Sequence, residues 1–145
     1  MGAINDLTQY GLQMVGTVTL ENGRFAIKIS NLLAQNFERC IYAYVVGDEI
    51  LRFGSSKKKL GGRIRAWQSD VSKAFAGDYS RTPQREADIW RDMLIKHQLG
   101  YLYAREGTRV VTPVGEFNLY QYEERALIDR HQPRCCNDLK PMRAP

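Results

Sequence analysis

Residues 40–54 read CIYAYVVGDEILRFG, in which two apolar runs flank a short polar segment. Runs of about four to eight residues rich in β-branched and aromatic side chains, separated by a turn containing glycine, are typical of a β-hairpin. We therefore predict two antiparallel strands, residues 41–46 and 50–53, with Gly47 and Asp48 in the turn. Which side chains face each other then depends on the length of the loop.

The register of this hairpin determines which side chains share a face of the sheet. A two-residue turn would pair Tyr42 with Phe53 and send Arg52 to the opposite face. A three-residue loop, 46–48, instead places Tyr42 directly across from Arg52. It also gathers one apolar set on a single face: Ile41, Ala43, Val45, Leu51 and Phe53. Because a slip of one residue would move that whole set to the other face, we predict the three-residue loop.

Patterns elsewhere in the chain predict further strands and helices around this hairpin. Asn22-Gly23 between two apolar runs is a strong hairpin signal, and Pro83 suits the first turn of a helix. Apolar residues at helical spacing mark the helices. The predicted elements are a helix within 1–12, strands 15–20 and 24–29, helices 60–75 and 83–97, a hairpin of 100–106 with 109–114, and a helix over 119–130.

These elements form one domain. The chain has 145 residues, which is the usual size of a single domain, and no linker or repeat divides it. We predict an α+β fold with a small, mainly antiparallel sheet flanked by helices. Within it, 1–39 form an N-terminal helix and hairpin extension, 40–138 form a core with an inserted helix at about 83–98, and 139–145 form a loose tail.

Composition favours a folded, soluble protein with a polyanionic partner. Hydrophobic residues make up 43% of the chain and charged residues 26%. No apolar run approaches the ~20 residues that cross a bilayer, and no secretory signal is recognisable. The three cysteines argue against a disulfide scaffold and for a reducing compartment, so we expect a cytoplasmic location. Lys and Arg outnumber Asp and Glu by 21 to 16, which favours a partner such as nucleic acid.

Several short segments resemble the signature of the GIY-YIG nuclease family. Residues 40–42, CIY, are similar to the first triplet, with Cys in place of Gly. Residues 52–54, RFG, are similar to the second, with Arg and Phe in place of Tyr and Ile. Residues 55–64, SSKKKLGGRI, resemble the lysine-rich turn and the helix that bears the family's arginine. Residues 124–137 resemble the closing glutamate, helix, proline and asparagine, so the resemblance covers about 40–137.

The resemblance implies a DNA endonuclease, of the restriction or another anti-DNA defence type, that uses Mg²⁺ or Mn²⁺. The catalytic residues that it implies are Tyr42, Arg52, Arg63, Glu124 and Asn137. Tyr42 would activate or position the attacking water, Arg63 would bind phosphate oxygens, and Glu124 would hold the metal ion. Where the family has a second tyrosine, Arg52 would supply a positive charge that favours ionised Tyr42. A homodimer is also expected, because cutting both strands requires two sites.

Helical geometry is compatible with these roles. In 60–75 the apolar residues define a core face, Arg63 lies at its border and Arg65 points away from it. In 119–130 Glu124 falls near the centre of the inward face and Glu123 toward its edge. Carboxylates are rarely buried unless they are paired or bind metal, so Glu124 is either a metal ligand or part of a structural ion pair. We expect the catalytic residues of the hairpin and these two helices to line one concave surface.

DNA binding is predicted to rest on basic residues near the catalytic arginine: Lys57, Lys58, Lys59, Arg65 and Lys73. Phosphate contacts of this kind position a duplex without reading its sequence. Two alternatives stay open. One is a non-catalytic nucleic-acid-binding module on a degenerate GIY-YIG scaffold. The other is an unrelated small α+β protein in which Tyr42 is an ordinary strand residue.

Overall fold

One antiparallel sheet of five strands forms the centre of the protein. The computed structural model describes residues 2–78, 80 and 82–136. Every neighbouring pair of strands is antiparallel, in the order β2-β1-β5-β3-β4. The strands are β1 (Gln13–Glu21), β2 (Arg24–Ile29), β3 (Cys40–Val46), β4 (Glu49–Ser56) and β5 (Gly100–Glu106). The predicted α+β fold with a mainly antiparallel sheet is confirmed, and β4 lies at one edge.

Helices cover both faces of this sheet: α1 (Ala3–Gln9), α2 (Leu60–Phe75), α3 (Gln84–His97) and α4 (Tyr120–His131). Helices α2 and α3 pack on the face that carries Tyr42 and Tyr44. Helices α1 and α4 pack on the opposite face, against Ile41 and Ala43. Strand β3 therefore lies between two layers, and all seven of its residues are buried. No helix among the described residues is long and apolar enough to cross a membrane.

A β-bulge in the β3–β4 hairpin changes the predicted register. Tyr42 pairs with Gly54 and Tyr44 pairs with Arg52, and the register shifts between Tyr44 and Val45. The prediction that Tyr42 lies directly across from Arg52 is therefore wrong. The two side chains still belong to the same face, because cross-strand partners point to the same side of a sheet.

The bulge also redistributes the apolar residues of β4. Leu51 joins the core under α2 and α3, whereas Ile50 joins the core under α1 and α4. The three-residue loop would have placed these two side chains the other way round. The apolar pattern predicted the wrong register because both faces of β3 are buried. Gathering apolar residues on one face therefore does not select a register.

The predicted hairpin of residues 100–106 with 109–114 is also wrong. Strand β5 forms, but it pairs with β1 and β3. The residues after it form a separate ribbon, β6 (Arg109–Thr112) with β7 (Gly115–Asn118). Both edges of β5 are occupied by strands that are distant in sequence, so neither edge is left for β6.

The N-terminal hairpin is part of the main sheet. Strand β1, which was predicted within an extension over 1–39, is hydrogen-bonded to β5 and thereby joined to β3. The predicted loose tail, 139–145, lies outside the described residues.

Candidate active site

Tyr42 on β3 packs against its cross-strand partner on the edge strand, Gly54. The aromatic ring lies over the glycine, and a Cβ atom at position 54 would overlap with the ring and its hydroxyl. The ring also meets Tyr44 edge-on, with 5.8 Å between the centroids. Tyr42 is fully buried, so its hydroxyl has a fixed position. The glycine of the second triplet therefore holds the tyrosine of the first.

Arg63 brings a guanidinium to the Tyr42 hydroxyl. Its Nε donates a hydrogen bond to that oxygen at 3.4 Å. The first turn of α2 is anchored by the amide of Leu60, which donates to the Phe37 carbonyl at 2.9 Å, and by Leu60 and Ile64 in the core. Arg63 itself is exposed. It lies where the sequence predicts it, at the border of the core stripe, with the guanidinium open to a ligand.

Glu124 reaches the same edge from the other face of the sheet. Helix α4 packs on the face opposite Tyr42, but the charges of Arg52 and Arg63 act on the Glu124 carboxyl, so the expectation of one concave surface stays a prediction. The carboxylate meets β4 instead at Ser55, whose Oγ donates a hydrogen bond to Glu124 Oε1 at 2.9 Å. Since Ser55 follows Gly54 on the edge strand, Glu124 and Tyr42 contact neighbouring residues of β4 from its two faces. The helical pattern placed Glu124 toward the sheet but could not say on which side.

The environment of Glu124 acts on its carboxyl in two opposite directions. Burial raises the pKa of this carboxyl above its ordinary value, while the Ser55 hydrogen bond and the charges of Arg52, Arg63 and Arg125 act in the opposite direction. Within the described part of the chain, Ser55 provides the single hydrogen bond of this side chain. A half-buried carboxylate with unfilled acceptor positions is a suitable ligand for a cation.

The residues at this edge fit a hard divalent cation with few protein ligands. No group of three His, Cys, Asp or Glu side chains comes together within residues 2–78, 80 and 82–136. A zinc site would need three or four such ligands. Mg²⁺ is usually bound through one or two carboxylates together with waters and substrate phosphates, which Glu124 could provide. Asn137, the last predicted catalytic residue, lies outside the described residues.

Arg52 is tied into a network on the Tyr42 face of the sheet. Its Nη1 donates to the carbonyl of Cys135 at 2.9 Å and lies 3.9 Å from the carboxylate of Glu86, which is buried on α3. The guanidinium also lies 5.8 Å from the centroid of the Trp67 ring. Arg52 thus links β4 to α3 and to the short turn Arg134–Cys136, and Glu86 offsets part of its charge. Its role in ionising Tyr42 stays a prediction.

A basic groove of about 910 Å³ opens beside Arg63. Its charged lining consists of five cations and one carboxylate: Arg39, Lys57, Lys58, Lys59, Arg63 and Glu38. Three of the five predicted DNA-binding residues therefore border the groove. Arg65 is exposed on α2 but does not belong to this lining, and Lys73 lines a separate cavity with Arg24 and Gln68.

The sequence did not reveal a clamp at the start of α4. Glu123 accepts hydrogen bonds from Arg105 Nη2 at 2.6 Å and from the Thr108 amide at 2.7 Å. Burial by itself raises the pKa of Glu123, but the hydrogen bonds from Arg105 and Thr108 outweigh it and hold the pKa below its ordinary value. Because Arg105 belongs to β5, the clamp fixes α4, and with it Glu124, to the sheet. No local pattern connects these residues, since their contact depends on long-range strand pairing.

Ser55 and Arg39 are the other site residues that the sequence did not single out. Ser55 directly follows the glycine of the second triplet, and this adjacency was the available signal. Arg39 precedes the first triplet by one residue and lines the groove. A single arginine outside the motifs gives no signal of its own, so only the fold identifies it.

The fold that these elements define is one found in endonucleases. A point mutant of EndoII from bacteriophage T4 matches with a TM-score of 0.65 and 18% identity, over 92% of this chain and 98% of that chain. Restriction endonuclease Hpy188I in complex with product DNA matches with a TM-score of 0.53 and 12% identity, over 97% of this chain and 87% of that chain. No family model and no curated protein matches the sequence. At these identities the similarity establishes the fold.

Proposed function

We propose that the protein is a GIY-YIG-type endonuclease that hydrolyses DNA phosphodiester bonds with Mg²⁺ or Mn²⁺. The observation that carries this proposal is the 3.4 Å hydrogen bond from Arg63 to the Tyr42 hydroxyl, beside a groove lined by five cations. The Glu124 carboxylate is bonded to Ser55 at the same edge of the sheet. The endonuclease fold, seen with product DNA in one relative, supports the same conclusion.

In this proposal each side chain acts on a different part of the reaction. The Tyr42 hydroxyl, held by Gly54 and Arg63, orients the attacking water by accepting a hydrogen bond from it. The guanidinium of Arg63 donates to the non-bridging oxygens, where negative charge accumulates in the transition state. Glu124 holds the cation, which when bound stabilises charge on the phosphate and on the leaving oxygen. The groove lysines position the duplex through its phosphates.

The second candidate function is a nucleic-acid-binding module that does not cut. Two observations favour it: Tyr42 is fully buried, and Arg52 replaces the second tyrosine of the family signature. Hydrolysis requires a water to reach the Tyr42 hydroxyl, so burial has to be relieved when DNA binds. In this second candidate the groove and its cations keep their role, and the edge of the sheet has none in catalysis.

The proposal extends to a defence-type nuclease that acts as a homodimer. The fold shared with a restriction endonuclease supports the first part. The second part follows from the presence of one Tyr42–Arg63 site in the described chain, because cutting both strands in place requires two such sites. Light scattering coupled to size-exclusion chromatography tests the dimer, and a monomer in the presence and absence of DNA would contradict it.

A plasmid-nicking assay separates the two candidate functions. We expect wild-type protein to nick supercoiled plasmid in Mg²⁺ or Mn²⁺ and to be inactive in EDTA. Glu124→Gln should abolish nicking and spare DNA binding, because it removes the cation ligand and keeps the shape. Asp129→Asn, on the exposed side of the same helix, is the matched control and should cut normally. DNA binding without nicking by the wild type in either metal would establish the binding module instead.

Arg63 and Arg65 provide a second test, because both are exposed arginines on the first turns of α2. We expect Arg63→Ala to lower the turnover rate by about 10²–10³, as is typical for loss of one transition-state donor, with a much smaller effect on affinity. Arg65→Ala should leave the turnover rate unchanged, whatever its effect on affinity. Single-turnover nicking and fluorescence anisotropy measure the two quantities, and proportional losses in both variants would reduce Arg63 to a docking residue.

A further inference from the structure

Arg39 adopts a left-handed backbone conformation without the usual local reason for one. Its φ angle is 46°, a region that side chains with a Cβ atom avoid. The other described non-glycine residues with positive φ are Asn22, in the β1–β2 turn, and Gln98 and Gln132, which end α3 and α4. Turns and helix ends commonly require this conformation. Arg39 lies in neither, immediately before β3.

Two backbone hydrogen bonds hold Arg39 in this conformation. Its amide donates to the Lys57 carbonyl at 3.1 Å, and its own carbonyl accepts from the Gly107 amide at 2.8 Å. The residue thus joins the end of β4 to the end of β5. A glycine would make the same two bonds without the steric cost. What arginine adds at this position is its side chain.

The Arg39 side chain is an exposed cation at the boundary between two cavities. It makes no hydrogen bond or ion pair with the rest of the described chain. On one side it completes the basic lining of the groove. On the other it borders a cavity with three carboxylates, Glu38, Glu106 and Glu116, and one further cation, Arg109. The charge of the surface therefore changes sign at Arg39.

We propose that Arg39 is a DNA-phosphate contact that sets where the duplex leaves the groove. This inference rests on the proposed function. A phosphate chain that follows the groove meets its last cation at Arg39, because in the cavity beyond it the three carboxylates outnumber Arg109 and repel DNA. The strained backbone conformation is retained because it aims this cation into the groove, in keeping with the clustering of backbone strain at functional sites.

The test separates the side chain from the backbone strain with two substitutions. Arg39→Gln removes the charge and keeps the strain, whereas Arg39→Gly removes both. Lys96→Gln is the control for loss of one charge: it lies beside His97, which packs against Gly47 at the opposite end of β3. Affinity for a fluorescein-labelled duplex is measured by anisotropy in EDTA over a range of KCl concentrations, and the Tm is measured for every variant.

We expect both Arg39 variants to bind DNA more weakly, with a salt slope that is shallower by about 1, as for loss of one phosphate contact. Arg39→Gly should have a higher Tm than Arg39→Gln, and Lys96→Gln should bind like the wild type. Wild-type affinity and slope in both Arg39 variants would overturn the inference and leave the nuclease proposal standing if the wild type still nicks plasmid. A wild type that fails to bind DNA would overturn both.

Discussion

The contacts of Arg52 make it a structural residue as well as a candidate catalytic one. Its guanidinium lies 3.9 Å from the buried carboxylate of Glu86. Losing a charged partner of a buried carboxylate is destabilising, so we expect Arg52→Met to lower the free energy of unfolding by about 1–3 kcal/mol. Adding Glu86→Gln should recover part of the loss. Urea denaturation of both proteins measures this. If the free energy of unfolding of Arg52→Met equals that of the wild type, the ion pair does not contribute to stability.

The same variants test whether Arg52 also takes part in catalysis. If its charge contributes to the reaction, the protein with both Arg52→Met and Glu86→Gln will nick more slowly than the protein with Glu86→Gln alone, under conditions where both are folded. Equal nicking rates would leave Arg52 with its structural role alone.

Helix α4 is positioned by the Glu123 clamp, whose strength should depend on pH. The pKa of Glu123 in the folded protein lies below its ordinary value of 4.5, so its ionised form stabilises the fold above that pH. This contribution is lost as the pH falls through the lowered pKa. We expect Glu123→Gln to lose about 1–3 kcal/mol at pH 7 and to approach the wild type at an acidic pH below the lowered pKa of Glu123.

Urea denaturation at both pH values measures the clamp, and Glu116→Gln, an exposed carboxylate on β7, is the control. An equal loss at both pH values would mean that shape rather than charge holds Glu123. Glu123→Gln should lower the nicking rate only to the extent that it displaces Glu124. If the rate falls as far as in Glu124→Gln while the fold stays intact, the roles given to the two neighbouring glutamates are wrong.

Helices were easier to predict here than strand pairings, for a physical reason. The apolar stripe of α2 is a local pattern, and its predicted bounds, 60–75, agree with the structure. The partners of β5 depend on which distant strands reach its two edges, and the register of β3 with β4 depends on a bulge. Both faces of β3 are buried, so its sequence carries no mark of which face holds which layer.

The protein as a whole should bind DNA with a strong dependence on salt. Five cations line the groove, and a slope of about −0.9 per neutralised phosphate gives about −4.5 for the logarithm of the affinity against that of the salt concentration. Anisotropy titrations in EDTA measure this slope. A much steeper slope would indicate that Arg65 and Lys73 also contact phosphates. A slope near zero would contradict the groove as the binding surface.

The candidate site was predictable on one face of the sheet and less so around its edge. Tyr42 and Arg63 follow from a strand and a helix whose local patterns are clear, and the structure brings them together. Glu124 approaches from the other layer, through a chain that first passes along β5 and the β6–β7 ribbon. Nothing in residues 119–130 records that path, so the sequence could supply the residue but not its direction of approach.

The contact between Tyr42 and Gly54 constrains how such a protein can diverge. In the triplet Arg52-Phe53-Gly54, the Arg52 guanidinium lies beside Glu86 on α3. Phe53 packs against His131 on α4, with 5.6 Å between the ring centroids. Substitutions of Arg52 and Phe53 can therefore be compensated by changes in their neighbours. Gly54 lies against the Tyr42 ring, and any side chain at this position would displace that ring. Among descendants of a common ancestor, substitutions at positions 42 and 54 should consequently be coupled, whereas positions 52 and 53 can change independently of that pair.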